Sequence, residues 1–226
     1  MTILEAMEAR HSVRSYRPAP LDAGAAETLR QAIDTCNKEG GLHIQLVTGD
    51  PKAFDTWMAH YGKFSGVQHY IALIGPKGDQ LDEKLGYYGQ RLVLLAQTLG
   101  LNTCWVAMTF GKGAAKSRCS IAPGEKLVCV LALGYGTTQG VPHKSKRPED
   151  ISHYHGKAPD WFIEGVRAVL LAPTALNRQA FQIEGDGERV SMSYGRGAFA
   201  DVDLGIGKYH FEIGAEREHF IWAEHS

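Results

Sequence analysis

Apolar residues follow helical spacing in several stretches of the chain. Leu85, Tyr88, Leu92, Leu95, Ala96 and Leu99 lie on one face of a helix over 85–99, and Gly100 is placed to end it. Thr2 and Glu5 have the spacing of a capping box, so a first helix runs to about Arg10. Asp22 can cap a second helix, with Leu29, Ala32 and Ile33 facing inward and Gly40-Gly41 as its stop. Other apolar runs have strand length: 42–48, 70–75, 102–107 and 126–134. Asp50-Pro51 starts a short helix between the first two of them, because proline suits the first helical position. The second half repeats the grammar: a helix over 161–171, strands at 180–184 and 190–193, a helix over 201–215 and a closing strand at 220–223. Residues 29–47 can be laid against 166–183 with a short gap, which reads as an internal duplication of two halves. Helices and strands mixed without strict alternation predict an α+β fold.

Composition narrows the classes. The chain has 226 residues and a formal net charge of -1, so no global field draws it to nucleic acid or to a membrane surface. No apolar run approaches a membrane span, and the N-terminus lacks the basic and then apolar regions of a signal peptide. Cys36, Cys104, Cys119 and Cys129 show neither a CxxC pair nor metal spacing, and read as reduced core residues of a cytoplasmic protein. There is no phosphate-binding loop of the Walker type and no GxSxG elbow. Gly205-Ile206-Gly207 lies in a helical stretch without a third glycine, so it reads as a close-packing site between helices. His153-Tyr154-His155 lacks a nearby carboxylate or cysteine to complete a metal site and reads as a loop. No nucleophile with an obvious base presents itself, so the chemistry of an enzyme with this sequence would belong to a cofactor.

Candidate chemistry gathers in four stretches. Arg10-His11-Ser12-Val13-Arg14 puts two guanidiniums and a hydroxyl at the end of the first helix. Alternate residues of an extended segment face one side, so Arg10, Ser12 and Arg14 can converge on one anion; the other reading is a solvated basic helix end. His143-Lys144-Ser145-Lys146-Arg147-Pro148 is a second basic cluster, either the partner of such a clamp or a solvated loop. Asn177-Arg178-Gln179 offers amide donors and acceptors of the kind a flavin edge or ribityl chain needs, or else a turn asparagine. Asn102-Thr103-Cys104-Trp105-Val106 is a buried strand that can also offer backbone N–H groups and apolar surface to an aromatic ring.

Together these stretches resemble the nitroreductase family of FMN enzymes. RHSVRSY resembles that family's Arg-x-Ser-x-Arg opening, GQRLVLLAQTLGLNTCWV its central helix and following strand, and ALGYG with HKSKRPEDI its closing strand and basic segment. The family's Pro-Ser-x-x-Asn-x-Gln-Pro-Trp stretch usually follows the first helices. Here the matching APTALNRQAF occupies residues 172–181, with Thr174 for the serine and Ala180-Phe181 for Pro-Trp, as in a divergent subgroup. The resemblance implies a single nitroreductase-like α+β domain over 1–226, a mixed or antiparallel sheet flanked by helices, with pseudo-repeat halves at about 1–150 and 160–226. It implies FMN as cofactor, with Arg10, His11, Ser12, Lys144 and Lys146 at the phosphate. Arg14 would sit by the N1 and C2 carbonyl of the ring, as the catalytic cation that stabilises reduced flavin. Trp105 and Val106 would wall the ring, and Pro173, Thr174, Ala175, Asn177 and Gln179 would contact its edge or the ribityl chain. The implied reaction takes electrons from NAD(P)H through FMN to a small-molecule acceptor such as a nitroaromatic or quinone. The protein would act as a homodimer, or as a monomeric pseudo-dimer whose second half completes the site. The rival readings are a flavin enzyme of the same fold with other chemistry, such as dehalogenation or flavin breakdown, and a non-catalytic FMN-binding or redox-sensing protein.

Overall fold

The computed structural model describes residues 1–223. The chain divides into two compact units, one made of Met1–Leu81 with Arg91–Pro142, the other of Asp82–Gln90 with His143–Ser226. The chain therefore passes from one unit to the other three times, twice within one helix.

The first unit is built on a four-stranded antiparallel sheet. Its strands are β1 (Gln45–Val47), β2 (His69–Pro76), β3 (Asn102–Val106) and β4 (Glu125–Gly134), in the order β1-β2-β4-β3. The central strands β2 and β4 are buried on both faces, which is why they read as unbroken apolar runs rather than alternating ones. Helices α1 (Ile3–Ala9) and α2 (Ala23–Gly40) start and stop where the sequence signals them. Thr2 and Glu5 form the capping box, the Asp22 carboxylate accepts from the Ala25 N–H, and Gly41 ends α2 in the left-handed region at φ 63°. A 3-10 turn at Pro51–Ala53, α3 (Trp57–Tyr61) and α5 (Lys112–Ser117) complete the loops. One face of the sheet, with Tyr70, Ala72, Cys104, Val106, Val130 and Ala132, packs on Val13, Tyr16, Phe54, Phe64 and Phe110.

Helix α4 (Leu81–Thr98) contributes its first half to the second unit and its remainder to the first. Gly100, at φ 76°, follows its end.

The second unit holds α6 (Asp160–Val169), α7 (Ala200–Ala215) and a mixed sheet of β5 (Ser152–Tyr154), β6 (Phe181–Asp186), β7 (Arg189–Tyr194) and β8 (Ile221–Trp222), in that order. β5 runs parallel to β6 and β8 parallel to β7, while β6 and β7 form a hairpin. A β-carbon on Gly205 would collide with the Glu83 carbonyl, and one on Gly207 with the Phe181 ring. The Gly205-Ile206-Gly207 stretch is thus a close-packing site. Helices α6 and α7 meet through Gly165 against the Phe211 ring and Gly214 against the Glu164 backbone. His210, fully buried, accepts from the Gln90 amide at 2.8 Å and donates to the Ala168 carbonyl at 2.8 Å. The relay gives each of three polar groups a partner inside an apolar core.

His153 lies within β5 and His155 just after it, with their rings 5.0 Å apart, so the stretch read as a loop is in part a strand, held by its pairing with β6; among the described residues no group of three metal-ligating side chains gathers there or elsewhere. The four cysteines are free thiols, three of them buried. No helix among the described residues is long and apolar enough to cross a membrane.

Candidate functional site

In the first unit the segment 10–16 leaves α1 in extended conformation and lies along the free edge of β3. Ser12 bridges Thr103 in parallel, and the Val13 N–H donates to the Thr103 carbonyl at 3.1 Å. On its other side the segment is stitched to the end of β4: Tyr16 bridges Gly136, the Thr137 N–H donates to Ser15, and the Arg17 N–H donates to Tyr135. Asn102 braces that turn by accepting from the Gly136 N–H at 2.9 Å. Gly140, at φ 75°, passes so close to His11 that a β-carbon would lie 2.8 Å from it. Such a frame fixes the backbone of the segment and leaves its side chains to chemistry.

Alternation then sorts the side chains. Val13 enters the core and the Tyr16 hydroxyl donates back to its carbonyl at 2.7 Å. Ser12 and Arg14 come to the surface, and the Arg14 guanidinium lies 5.9 Å from the Phe64 ring centroid. Arg10, at the end of α1, is only 3% exposed, and its Nε has no hydrogen-bond partner. Burial lowers its pKa to about 10. Among the described residues no carboxylate pairs with Arg10, Arg14 or Arg17. Burial raises the Cys104 thiol, against the opposing influence of Arg14, a hydrogen bond from Ser12, and Arg10. Segment 10–14 runs beside β3 at Thr103, the neighbour of Cys104. Trp105 and Val106 do not share a face. They are neighbours on one strand, and the Val106 side chain is committed to the core cluster while Trp105 is half-buried.

In the second unit Pro173–Gln179 forms a tight turn with three non-glycine residues at positive φ: Leu176 at 54°, Asn177 at 54° and Gln179 at 45°. Leu176 is 95% exposed, so packing does not hold it there. Asparagine tolerates this region, but for leucine and glutamine it costs about 1–3 kcal/mol each. Polar contacts offset that cost. The Asp203 carboxylate accepts from the Ala175 N–H at 3.0 and 3.1 Å, and the Gln179 N–H donates to the Thr174 hydroxyl at 3.1 Å. Burial raises the Asp203 pKa to about 6, opposed by the Tyr194 hydroxyl, the Ala175 N–H and the Arg178 charge. Burial together with the Asp203 charge pushes the Tyr194 hydroxyl up to about 12.

The basic segment is fixed by this turn. The Lys144 carbonyl accepts from the Asn177 amide at 2.9 Å and from the Gln179 amide at 2.8 Å, and the Lys146 N–H donates to the Gln179 side-chain oxygen at 2.9 Å. His143 and Ser145 both bond the Leu170 carbonyl. Lys144 and Lys146 are exposed, and their ammonium groups have no hydrogen-bond or ion-pair partner among the described residues. Asp203 and Tyr194, which the sequence reading did not single out, stand apart from any recognisable motif.

The family model described as "Putative TM nitroreductase" matches residues 2–215. Among solved structures, a "putative nitroreductase" from Thermotoga maritima has a TM-score of 0.65 at 24% identity, covering 96% of this chain and 85% of that one. A "putative nitroreductase in complex with fmn" from Desulfovibrio desulfuricans has a TM-score of 0.53 at 18% identity over 67% of this chain and 95% of its own. An NADH dehydrogenase/NAD(P)H nitroreductase, so described, from Parabacteroides distasonis has a TM-score of 0.54 at 20% identity over 67% of this chain and 96% of its own. These likenesses share the fold, with its mixed helices and antiparallel pairing. No curated protein matches the chain. With its model matched from residue 2 to residue 215, the chain belongs to the family described as "Putative TM nitroreductase".

Proposed function

We propose that this protein is an FMN-dependent oxidoreductase that passes electrons from NAD(P)H to a small-molecule acceptor such as a nitroaromatic or a quinone. The observation that carries the reading is Arg10. A desolvated guanidinium without a counter-charge and with an orphaned Nε is costly unless an anion completes it. A phosphate monoester is such an anion, and its oxygens suit the guanidinium fork. Ser12 adds a hydroxyl donor beside it, and the unpaired charges of Arg14 and Arg17 make the whole segment attractive to anions. These residues fit FMN. The FMN complex of the Desulfovibrio desulfuricans relative supports the same cofactor.

Bound FMN would supply reversible two-electron chemistry. The part of this chain would be electrostatic: Arg10 and Ser12 would hold the phosphate, and Arg14, outside the core, would stabilise negative charge on the reduced ring. Trp105 would offer its half-buried indole to the ring face, with Val106 packing beneath the strand. His11 would support the phosphate segment from the same turn. Lys144 and Lys146 are proposed as an anion-binding pair of the second unit, with Pro173, Thr174, Ala175, Asn177 and Gln179 as the turn that goes with them. The names of relatives support NAD(P)H as reductant.

The visible spectrum of purified protein with added FMN tests the cofactor, and titration with riboflavin tests the clamp. Riboflavin lacks the phosphate and should bind far less well; equal affinity would sink the clamp. Steady NAD(P)H consumption with nitroaromatic or quinone acceptors separates an enzyme from a flavin-binding sensor.

A further inference from the structure

Strand β5 lies at the edge of the second unit's sheet, and its side chains are sorted by one anchor. The Tyr154 ring packs edge-on against Phe162 with centroids 4.9 Å apart, and it lies over Gly185, where a β-carbon would collide with it. The Tyr154 hydroxyl donates to the Gly187 carbonyl at 2.7 Å, and the His155 N–H donates to the Gly185 carbonyl at 2.8 Å. Successive side chains of an extended segment point to opposite faces, so fixing Tyr154 on one face sends His153 and His155 to the other. Both histidines are exposed, and their rings stand edge to face with centroids 5.0 Å apart. Among the described residues neither imidazole has a hydrogen-bond or ion-pair partner. Glu184, the register partner of His153 on β6, is exposed on the same face of the sheet.

We propose that His153 and His155 form a two-imidazole chelate for a divalent ion of the nickel, copper or zinc class, with water completing the coordination. The spacing of the rings carries the inference. With nitrogen-to-metal bonds of about 2.0–2.1 Å, two imidazoles on one ion have centroids roughly 4.5 Å apart at a right angle and roughly 5.2 Å apart at the tetrahedral angle. The observed 5.0 Å falls inside that interval. Neutral imidazole suits ions of this class, whereas magnesium and calcium take oxygen ligands. Among the described residues no third metal-ligating side chain joins the pair, so the site is an open, exchangeable one rather than a closed structural centre. Glu184 adds negative charge to the face without having to touch the ion. Ordering two exposed side chains costs entropy, and a strand already pinned by Tyr154 and the Gly185 carbonyl lowers that cost. The site belongs wholly to the second unit and does not rest on the flavin reading.

The probe is NiCl2, titrated calorimetrically into the full chain at neutral pH in a non-chelating buffer. The wild type should take up one tightly held nickel ion per chain, and MgCl2 at the same concentration should give no binding. His153→Ala and His155→Ala should each weaken nickel by about tenfold or more, because the second ligand of a chelate acts at a high effective concentration. His60→Ala removes an exposed histidine of the first unit and should change nickel affinity by less than about twofold. Both chelating side chains are exposed, so without metal the variants should unfold at the wild-type temperature; with nickel only the wild-type midpoint should rise. Electron paramagnetic resonance with CuCl2 reads the ligands directly: nitrogen splitting from two imidazoles in the wild type and from one in either single variant. No nickel uptake by the wild type would overturn the inference. So would unchanged uptake in the His153→Ala/His155→Ala double variant, or a loss in His60→Ala equal to that in the β5 variants. The two rings would then be an edge-to-face pair and nothing more.

Discussion

Arg10 illustrates a side chain whose cost to the fold and value to the function are the same fact. A buried guanidinium with an orphaned Nε and no carboxylate partner among the described residues destabilises the unliganded protein. Arg10→Met, similar in length and apolar, should therefore leave the flavin-free protein as stable as the wild type or raise its Tm. The same change should weaken FMN by more than tenfold, the loss of a hydrogen bond to a charged group worth about 1.5–3 kcal/mol. A variant that lost stability and kept its FMN affinity would make Arg10 a structural residue. Arg14 makes the opposite case. It is exposed and rests by Phe64, so Arg14→Ala should fold normally. If its charge stabilises reduced flavin, the midpoint potential of bound FMN should fall in Arg14→Ala and fall less in Arg14→Lys, which keeps the charge but not the fork. An unchanged potential with FMN still bound would reduce Arg14 to packing. Residue identities were legible in the sequence because guanidiniums, amides and hydroxyls carry their chemistry with them. Their partners were not. The pairing of segment 10–14 with β3, some 90 residues on, is encoded by no local pattern.

At the scale of elements, local signals served well wherever they were chemical. The capping box of α1, the Asp22 cap and Gly41 stop of α2, and Gly100 after α4 stand where their residues place them. The elements not read from sequence are α3, α5 and β5. Five or six residues are too few to show a helical period, and Trp57 and Tyr61, stacked at 5.8 Å, put their apolar bulk outside rather than in a core. β5 has three residues and exists through parallel pairing with β6, a partner far along the chain. The α7 packing site makes a sharp prediction. Gly205→Ala would drive a methyl into the Glu83 backbone, which cannot step aside as a side chain would, so unfolding midpoints should drop by the equivalent of about 1–3 kcal/mol. The Asp203 latch on the 173–179 turn predicts a pH dependence. Its folded pKa, about 6, lies above the ordinary carboxylate value of 3.8, so the folded state binds the proton more tightly than the unfolded state does. The contribution of Asp203 to stability is complete below about pH 4 and is lost as pH rises through 6, on the order of 2–3 kcal/mol in all. Asp203→Asn keeps an oxygen for the Ala175 N–H and removes the titration. Its stability between pH 4 and 6 should be flatter than that of the wild type, measured by denaturant unfolding; parallel curves would mean that Asp203 does not titrate in this range.

At the scale of the whole molecule, the two compact units interleave in sequence. An internal duplication read from the sequence suggested halves at about 1–150 and 160–226, whereas the compact units are interleaved in sequence, with Asp82–Gln90 belonging to the second although it lies inside the first. The two sheets also differ in kind, one antiparallel throughout and one mixed. The reason such interleaving escapes sequence reading is helix α4: its apolar period is continuous, and periodicity reports that a face is buried without saying against what. Within the second unit, the first half of α4 is packed intimately. Gly86 sits against the Val202 backbone, Gly205 against that of Glu83, Gln90 bonds His210, the Tyr87 hydroxyl donates to Glu212, and Lys208 pairs with Glu83. A chain cut before Trp161 would keep Asp82–Gln90 and lose every one of these partners, baring buried polar groups together with apolar surface. Such a truncated chain should aggregate or unfold at a markedly lower temperature than the full chain. Loss of FMN binding on truncation would then carry no information about the site. Point variants in an intact chain, such as Arg10→Met and Asn177→Ala, are the valid probes. A soluble, cooperatively unfolding 1–160 fragment that bound FMN stoichiometrically would overturn this picture, showing that residues 161–226 are dispensable both to the packing of α4 and to the flavin.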